Sequence, residues 1–156
     1  MEKVPMTPEG FEALKVELAK LKAERPLISK AIGEAMEEGD LKENAEYHAQ
    51  KDRQGMVEAQ IAKIEDAIAR AEVIDPSKLS GDKVKFGAKV TLEDVDSGKI
   101  VEYRIVGPEE SDIDKGTVSV TSPIARALIN REVGDEVQVK APGGLRVYEI
   151  QEISWS

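Results

Sequence analysis

Apolar positions in the first half of the chain recur in alternating steps of three and four, at Phe11, Leu14, Leu18, Leu21, Ile28, Ile32 and Ala35, with Arg25 the one interruption. That spacing keeps a stripe on one side of a helix and forms a coiled-coil seam. Thr7 and Pro8 supply its start, as N-cap and first helical residue. Pro26 removes a backbone hydrogen bond within the run and crowds the preceding turn, which predicts a local kink. The same spacing resumes from Asn44 to Ala71 through Tyr47, Gln50, Gln54, Val57, Ile61, Ile64, Ile68 and Ala71, polar near its start and apolar beyond. Two helices of about 30 residues joined by so short a turn must reverse, giving an antiparallel hairpin about 45 Å long at about 1.5 Å per residue.

After Ile74 the period changes. Pro76, Ser77, Ser80 and Gly81 break the helical pattern, and the chain divides into a hairpin over 1–75, a linker over 76–80 and a second domain over 81–156. In that domain, alternation of apolar and polar residues predicts strands over Val84–Phe86, Ala88–Val95, Ile100–Val106, Thr117–Thr121, Glu136–Ala141 and Leu145–Ile153. Ser122-Pro123 caps a short helix through Ile129. The fold class is therefore α+β: a helical hairpin followed by an antiparallel sheet with one helix packed on a face.

Composition narrows the chemistry. The chain has no Cys, so thiolate catalysis, disulfides and Cys-based zinc sites are excluded; no apolar run is long enough for a signal peptide or a membrane span, and a cytoplasmic location is expected. Net charge is −9, with 11 basic and 17 acidic side chains in 1–75 and 11 and 14 in 76–156. Neither part has the excess of Lys and Arg that tight binding to free nucleic acid requires.

The candidate chemistry lies at the hairpin turn, Glu38-Gly39-Asp40-Leu41-Lys42-Glu43-Asn44. Asp40 and Glu43, three apart, can present their carboxylates to one side. The same spacing also makes a capping-box-like pair, with Asp40 as N-cap and Glu43 at the third helical position. Two acids do not hold Mg²⁺ alone, because that ion is usually bound by one or two carboxylates plus waters and a substrate's phosphates, so such a tip would complete a site that a partner half supplies. His48, the only His, has no nucleophile or second base beside it in the sequence. Lys51 and Arg53, about two turns beyond the tip, are either a solvated face or a contact to a nucleic-acid backbone. Gly143-Gly144 after Pro142 is a hairpin turn.

Two stretches carry a resemblance. Gly39-Asp40-Leu41-Lys42-Glu43-Asn44-Ala45-Glu46-Tyr47-His48-Ala49 is similar to the first signature of the bacterial GreA/GreB transcript cleavage factors, and Ser119 to Ile129 resembles their C-terminal signature. Pro5-Met6-Thr7 and Pro142-Gly143-Gly144 fall in the matching order, and the acidic balance is that of the GreA branch. The resemblance implies an N-terminal coiled coil and an FKBP-like C-terminal domain that docks at the rim of the RNA polymerase secondary channel. The coiled coil would reach down that channel to the 3′ end of the nascent RNA. It implies that Asp40 and Glu43 help hold the second catalytic Mg²⁺ of a backtracked polymerase, which then cuts its own RNA; the free protein would be no enzyme and would bind no metal tightly. By the same match Ser122, Pro123, Ile124 and Arg126 are candidates for docking. Where relatives often carry a basic residue before the tip this chain has Met36, which leaves Lys51 and Arg53 as candidates for contact with RNA. Two rival functions follow from the same features: a family member that enters the channel without promoting cleavage, and a prolyl isomerase or chaperone. Against the isomerase, an apolar ligand pocket usually has several aromatics, and the second domain offers only Phe86, Tyr103, Tyr148 and Trp155.

Overall fold

The computed structural model describes residues 2–37 and 44–155. Its first long helix, α1 (Pro8–Met36), follows a three-residue strand, β1 (Val4–Met6), and its second, α2 (Ala45–Arg70), runs directly into another, β2 (Ala71–Val73). Leu21 and Ile28 of α1 bury against Val57, Ile61 and Ile64 of α2, and Leu14, Leu18, Ile32 and Ile68 extend the row. The seam thus uses the residues that the three-four spacing selects. Where Arg25 interrupts it, ions cross between the helices instead: Arg25 grips Glu58 with Nε and a terminal nitrogen at 2.8 and 2.7 Å, and Arg53 pairs with Glu24. The Glu58 carboxyl is held below its ordinary value, first by the hydrogen bond from Arg25.

Pro26 sits inside α1 without ending it. It is exposed, as is Lys22 four residues earlier, so the helix bond that Pro26 cannot donate falls between exposed residues and not in the apolar seam.

The remaining elements form one five-stranded sheet in the order β5-β4-β3-β7-β6, from β3 (Lys89–Asp94), β4 (Ile100–Val106), β5 (Thr117–Ser119), β6 (Glu136–Ala141) and β7 (Gly144–Ser154). Helix α3 (Pro123–Leu128) lies between β5 and β6 in sequence and covers one face. Alternate residues of the strands, including Val90, Leu92, Ile105, Val118, Val137 and Ile150, bury there with Ala125 and Leu128. Tyr103, Tyr148 and Trp155 pack around that core, and burial pushes the Tyr148 phenol up.

Three expectations change. Val84–Phe86 is not a strand; Val84 is fully buried, but pairing there is limited to an isolated bridge between Lys83 and Glu132. The sheet is not purely antiparallel, because β5 runs parallel to β4, reached through the turn Ile113–Lys115. Two short strands were also not expected: β1 and β2 pair in parallel, Val4 with Ala71 and Met6 with Val73, and Ile74 N–H donates to the Met6 carbonyl at 2.8 Å.

Contacts group the chain into two units, Glu12–Arg70 and Met1–Phe11 with Ala71–Ser156. The first residues therefore fall with the sheet, whereas sequence periodicity alone put all of 1–75 with the hairpin. Within 76–80, Asp75 caps a short turn at Pro76–Lys78 by accepting from Ser77 N–H and its hydroxyl at 3.0 and 2.7 Å. Pro76 is buried against Gly87, where an added Cβ would meet the proline at 2.8 Å. No helix among the described residues is long and apolar enough to cross a membrane.

Candidate functional site

In sequence, the acidic motif falls between the end of α1 and the start of α2. Asp40 and Glu43 themselves lie outside the described residues, as does the rest of 38–43. What is described is the base on which that segment stands. Helix α2 takes its cap from Asn44: Tyr47 N–H donates to Asn44 Oδ1 at 3.0 Å, and His48 N–H to the Asn44 carbonyl at 3.1 Å. The amide end of the same side chain crosses to α1, where Asn44 Nδ2 donates to the Ala35 carbonyl at 2.6 Å. Asn ranks with Asp among N-cap residues. Sequence reasoning passed over Asn44 because the Asp40–Glu43 spacing matched a capping box first; the signal for Asn44 was its place directly before the periodic run.

Beyond the cap, Tyr47 and His48 meet edge to face at 5.4 Å between ring centroids, and Gln50 Nε2 donates to Glu46 at 3.0 Å. Lys51 is exposed and donates to the Gln54 side chain, a neutral partner, at 3.2 Å. Arg53 differs, since its guanidinium is engaged by Glu24 across the hairpin. Of the two basic candidates, Arg53 thus has an acidic partner and Lys51 a neutral one among the described residues. Met36, in the last turn of α1, is 51% exposed, and that turn holds no basic residue.

In the sheet unit, the second motif divides by function. Ser122 Oγ accepts from Ala125 N–H at 3.3 Å and so caps α3, while Ile124 packs toward the core. Pro123 and Arg126 are exposed. Of the four docking candidates these last two are exposed, and Pro123 also begins α3.

Two polar centres escaped sequence reasoning. Glu110 accepts from Thr7 N–H at 2.8 Å, from Gly107 N–H at 3.0 Å and from the Thr7 hydroxyl, and Thr7 Oγ1 in turn accepts from Gly10 N–H at 3.1 Å. Gly10 and Gly107 permit this approach, because a Cβ on the first would collide with the Glu110 carboxylate and on the second with the Pro5 carbonyl. The partners are 103 residues apart, and no local pattern announces them. Asp94, buried at the end of β3, accepts from Asp96 and Ser97 N–H at 2.9 and 3.2 Å and from Arg146 at 3.2 Å. Those backbone donors, ahead of Arg146, hold its carboxyl below the usual range. Both centres organise turns.

Among the described residues no group of three or more His, Asp or Glu is placed to hold a metal ion. Grooves of about 310 and 320 Å³ on the sheet unit are lined by Lys89, Glu102, Arg104, Lys115, Gly116 and Thr117, and by Gly81, Asp82, Glu132, Val133 and Ile153. Neither contains an aromatic, because Tyr103, Tyr148 and Trp155 are spent on the core.

Residues 4–73 match the family model described as transcription elongation factor, N-terminal, and residues 79–155 the model described as transcription elongation factor, GreA/GreB, C-term. Over 156 residues, 99% of each chain, the sequence is 60% identical to a protein named transcription elongation factor GreA from Phenylobacterium zucineum (strain HLK1). It is 56% identical, again over 99% of each chain, to the protein of that name from Maricaulis maris (strain MCS10). A solved structure of GreA factor homolog 1 (Gfh1) from Thermus thermophilus is 29% identical, with 98% of this chain and 99% of that one covered and a TM-score of 0.45.

Proposed function

Because this chain belongs to the GreA/GreB family of transcription elongation factors, we propose that it rescues arrested RNA polymerase by lending the Asp40 and Glu43 carboxylates to the polymerase's own active centre. The observation that carries this reading is the cap of α2. Asn44 already serves the Tyr47 N–H in the first turn of that helix, so the acids of the turn are not needed for that bond. A pair of acids in the sequence that joins two long helices, of which α1 alone spans about 40 Å at about 1.5 Å per residue, is suited to a distant site.

The hairpin would enter the secondary channel tip first, toward the displaced 3′ end of the RNA. Asp40 and Glu43 would give hard anionic oxygens to a Mg²⁺ held jointly with the polymerase, the kind of ligand that ion prefers. With the second metal bound, the polymerase has the two-metal clamp that stabilises attacking and leaving oxygens in phosphodiester cleavage. This chain supplies no nucleophile or base of its own in that scheme. In this scheme Lys51, whose partner among the described residues is the neutral Gln54, and Arg53, which would have to exchange Glu24 for a phosphate, would meet the RNA backbone. Docking at the channel rim falls to the sheet unit through exposed Pro123 and Arg126.

A stalled elongation complex, incubated with and without the protein, tests the proposal. Release of short 3′ RNA fragments and recovery of extension are expected. Competition for the polymerase with no cleavage would instead identify a channel inhibitor.

A further inference from the structure

We propose that the outer edge of β6 recognises itself: a second copy of this chain lays its own β6 antiparallel along it and joins the two sheets. β6 stands last in the strand order, with β7 on one side and no described strand on the other. Across the turn at Pro142-Gly143, Ala141 pairs with Gly144, and hydrogen-bonded and non-bonded pairs alternate from there. Two bonds fix the phase of that alternation. Ile150 N–H donates to the Asp135 carbonyl at 3.0 Å, whereas the Val147 carbonyl, in the pair with Gln138, faces the other way and accepts from Val95 N–H at 3.0 Å. Odd-numbered residues of β6 thus bond to β7, and the N–H and C=O groups of Glu136, Gln138 and Lys140 point outward. Among the described residues no loop or turn bonds to them, and their side chains are exposed. Such a row of unpaired backbone groups is a template for another strand.

Charge selects the occupant. Edge strands are commonly guarded by charged side chains, and charges of one sign would repel a second copy in any orientation. Here the signs are opposite and stand symmetrically about Gln138, with Glu136 two residues before it and Lys140 two after. When two β6 strands run antiparallel with Gln138 facing Gln138, each Glu136 faces the second copy's Lys140, and the outward backbone groups fall into hydrogen-bonded pairs. Parallel pairing in register would set Glu136 against Glu136 instead. Neither Glu136 nor Lys140 has an ionic partner of its own among the described residues. Glu136 also ends a row of carboxylates, opposite Glu149, which is in turn opposite Glu93. Gln151, a neutral amide, serves the last two at 3.3 and 3.1 Å. A lysine from a second copy brings positive charge to the open end of that row. Val137 and Val139 are already buried under the sheet's own core, so pairing along the edge disturbs no packing.

The test follows the full chain by sedimentation equilibrium from about 10 μM to about 1 mM, the range in which an interface of one strand pair dissociates. Amide exchange is measured at both ends of that range. Dimer is expected at the upper end, with the Glu136, Gln138 and Lys140 amides slowed there and fast at the lower. The Val137 and Val139 amides, bonded to β7, should stay slow throughout. Glu136→Lys and Lys140→Glu should each weaken association about 10-fold or more, because each sets like charges against one another at both ends of the pair. Both positions are exposed, so each variant should keep wild-type unfolding by Trp155 fluorescence. An equimolar mixture of the two single variants, and the double variant alone, should recover association. A monomer across the whole range would overturn the proposal, as would a dimer indifferent to either reversal. Slowing of the same three amides by added RNA polymerase, in a chain that does not self-associate, would also overturn it and assign the edge to a strand of the polymerase.

Discussion

The hairpin and the sheet unit reach order by different means. Along the hairpin a single row of apolar side chains is sandwiched between two helices, and at Arg25 even that row gives way to exposed ion pairs. In the sheet unit one face of five strands closes under α3, and Val90, Leu92, Ile105, Ala125, Leu128 and Ile150 are wholly buried. A narrow seam makes length with few residues, whereas a two-layer core holds a surface in shape. The proposed division of labour between a reaching part and a docking part would use that contrast.

Identical truncations should expose it. Ile150→Ala removes a side chain with no exposure from the sheet core, and a loss of about 2–5 kcal/mol is expected, toward the upper end. Ile64→Ala, at 8% exposure in the seam, should fall toward the lower end of that same range of about 2–5 kcal/mol, because neighbours and water close around it. Urea unfolding followed by Trp155 fluorescence for the sheet unit and by helical circular dichroism for the hairpin reads the two separately. Equal losses would erase the distinction.

The Glu110 centre should respond next. Glu110→Ala leaves Thr7 and Gly107 N–H without their carboxylate, at a cost of about 1–3 kcal/mol in Trp155-monitored unfolding, with little change at the hairpin seam. An unchanged midpoint would mean that water replaces the carboxylate freely.

Acid should affect the sheet unit through Asp94. Its carboxyl is lowered in the folded chain, so its contribution is fully present above the unfolded value of about 4 and is lost as pH falls through the lower folded value. Asp94→Asn should flatten the acid limb of the Trp155-monitored stability profile. Glu58, lowered by Arg25, titrates with the same sign in the hairpin, but the pair is exposed and salt should weaken it.

How far the sequence speaks also differs between the two regions. The hairpin was legible almost residue by residue, since a three-four period is local and each seam position from Leu14 to Ile68 declares itself. The strands β3, β4, β6 and β7 were legible for the same reason. Partners far apart were not: β1 with β2, and Thr7 with Glu110, join residues that no local period connects. Val84–Phe86 reads as strand because apolar and polar residues alternate there, although pairing is limited to the bridge between Lys83 and Glu132. At the site, the acidic pair was visible as a motif, but its competing explanation could be weighed only when Asn44 was seen to cap α2.

The central claim is that Asp40 and Glu43 act through charge and not as caps, and cleavage by Asp40→Asn and Glu43→Gln tests it most directly. With Asn44 as the cap, both variants should keep wild-type helicity and unfolding midpoints and should compete with wild type for polymerase. Stimulated RNA cleavage should nearly vanish in each, because a neutral amide is a weaker ligand than a carboxylate for a hard cation, and higher Mg²⁺ should recover part of it. Cleavage at the wild-type rate in both variants would contradict the account.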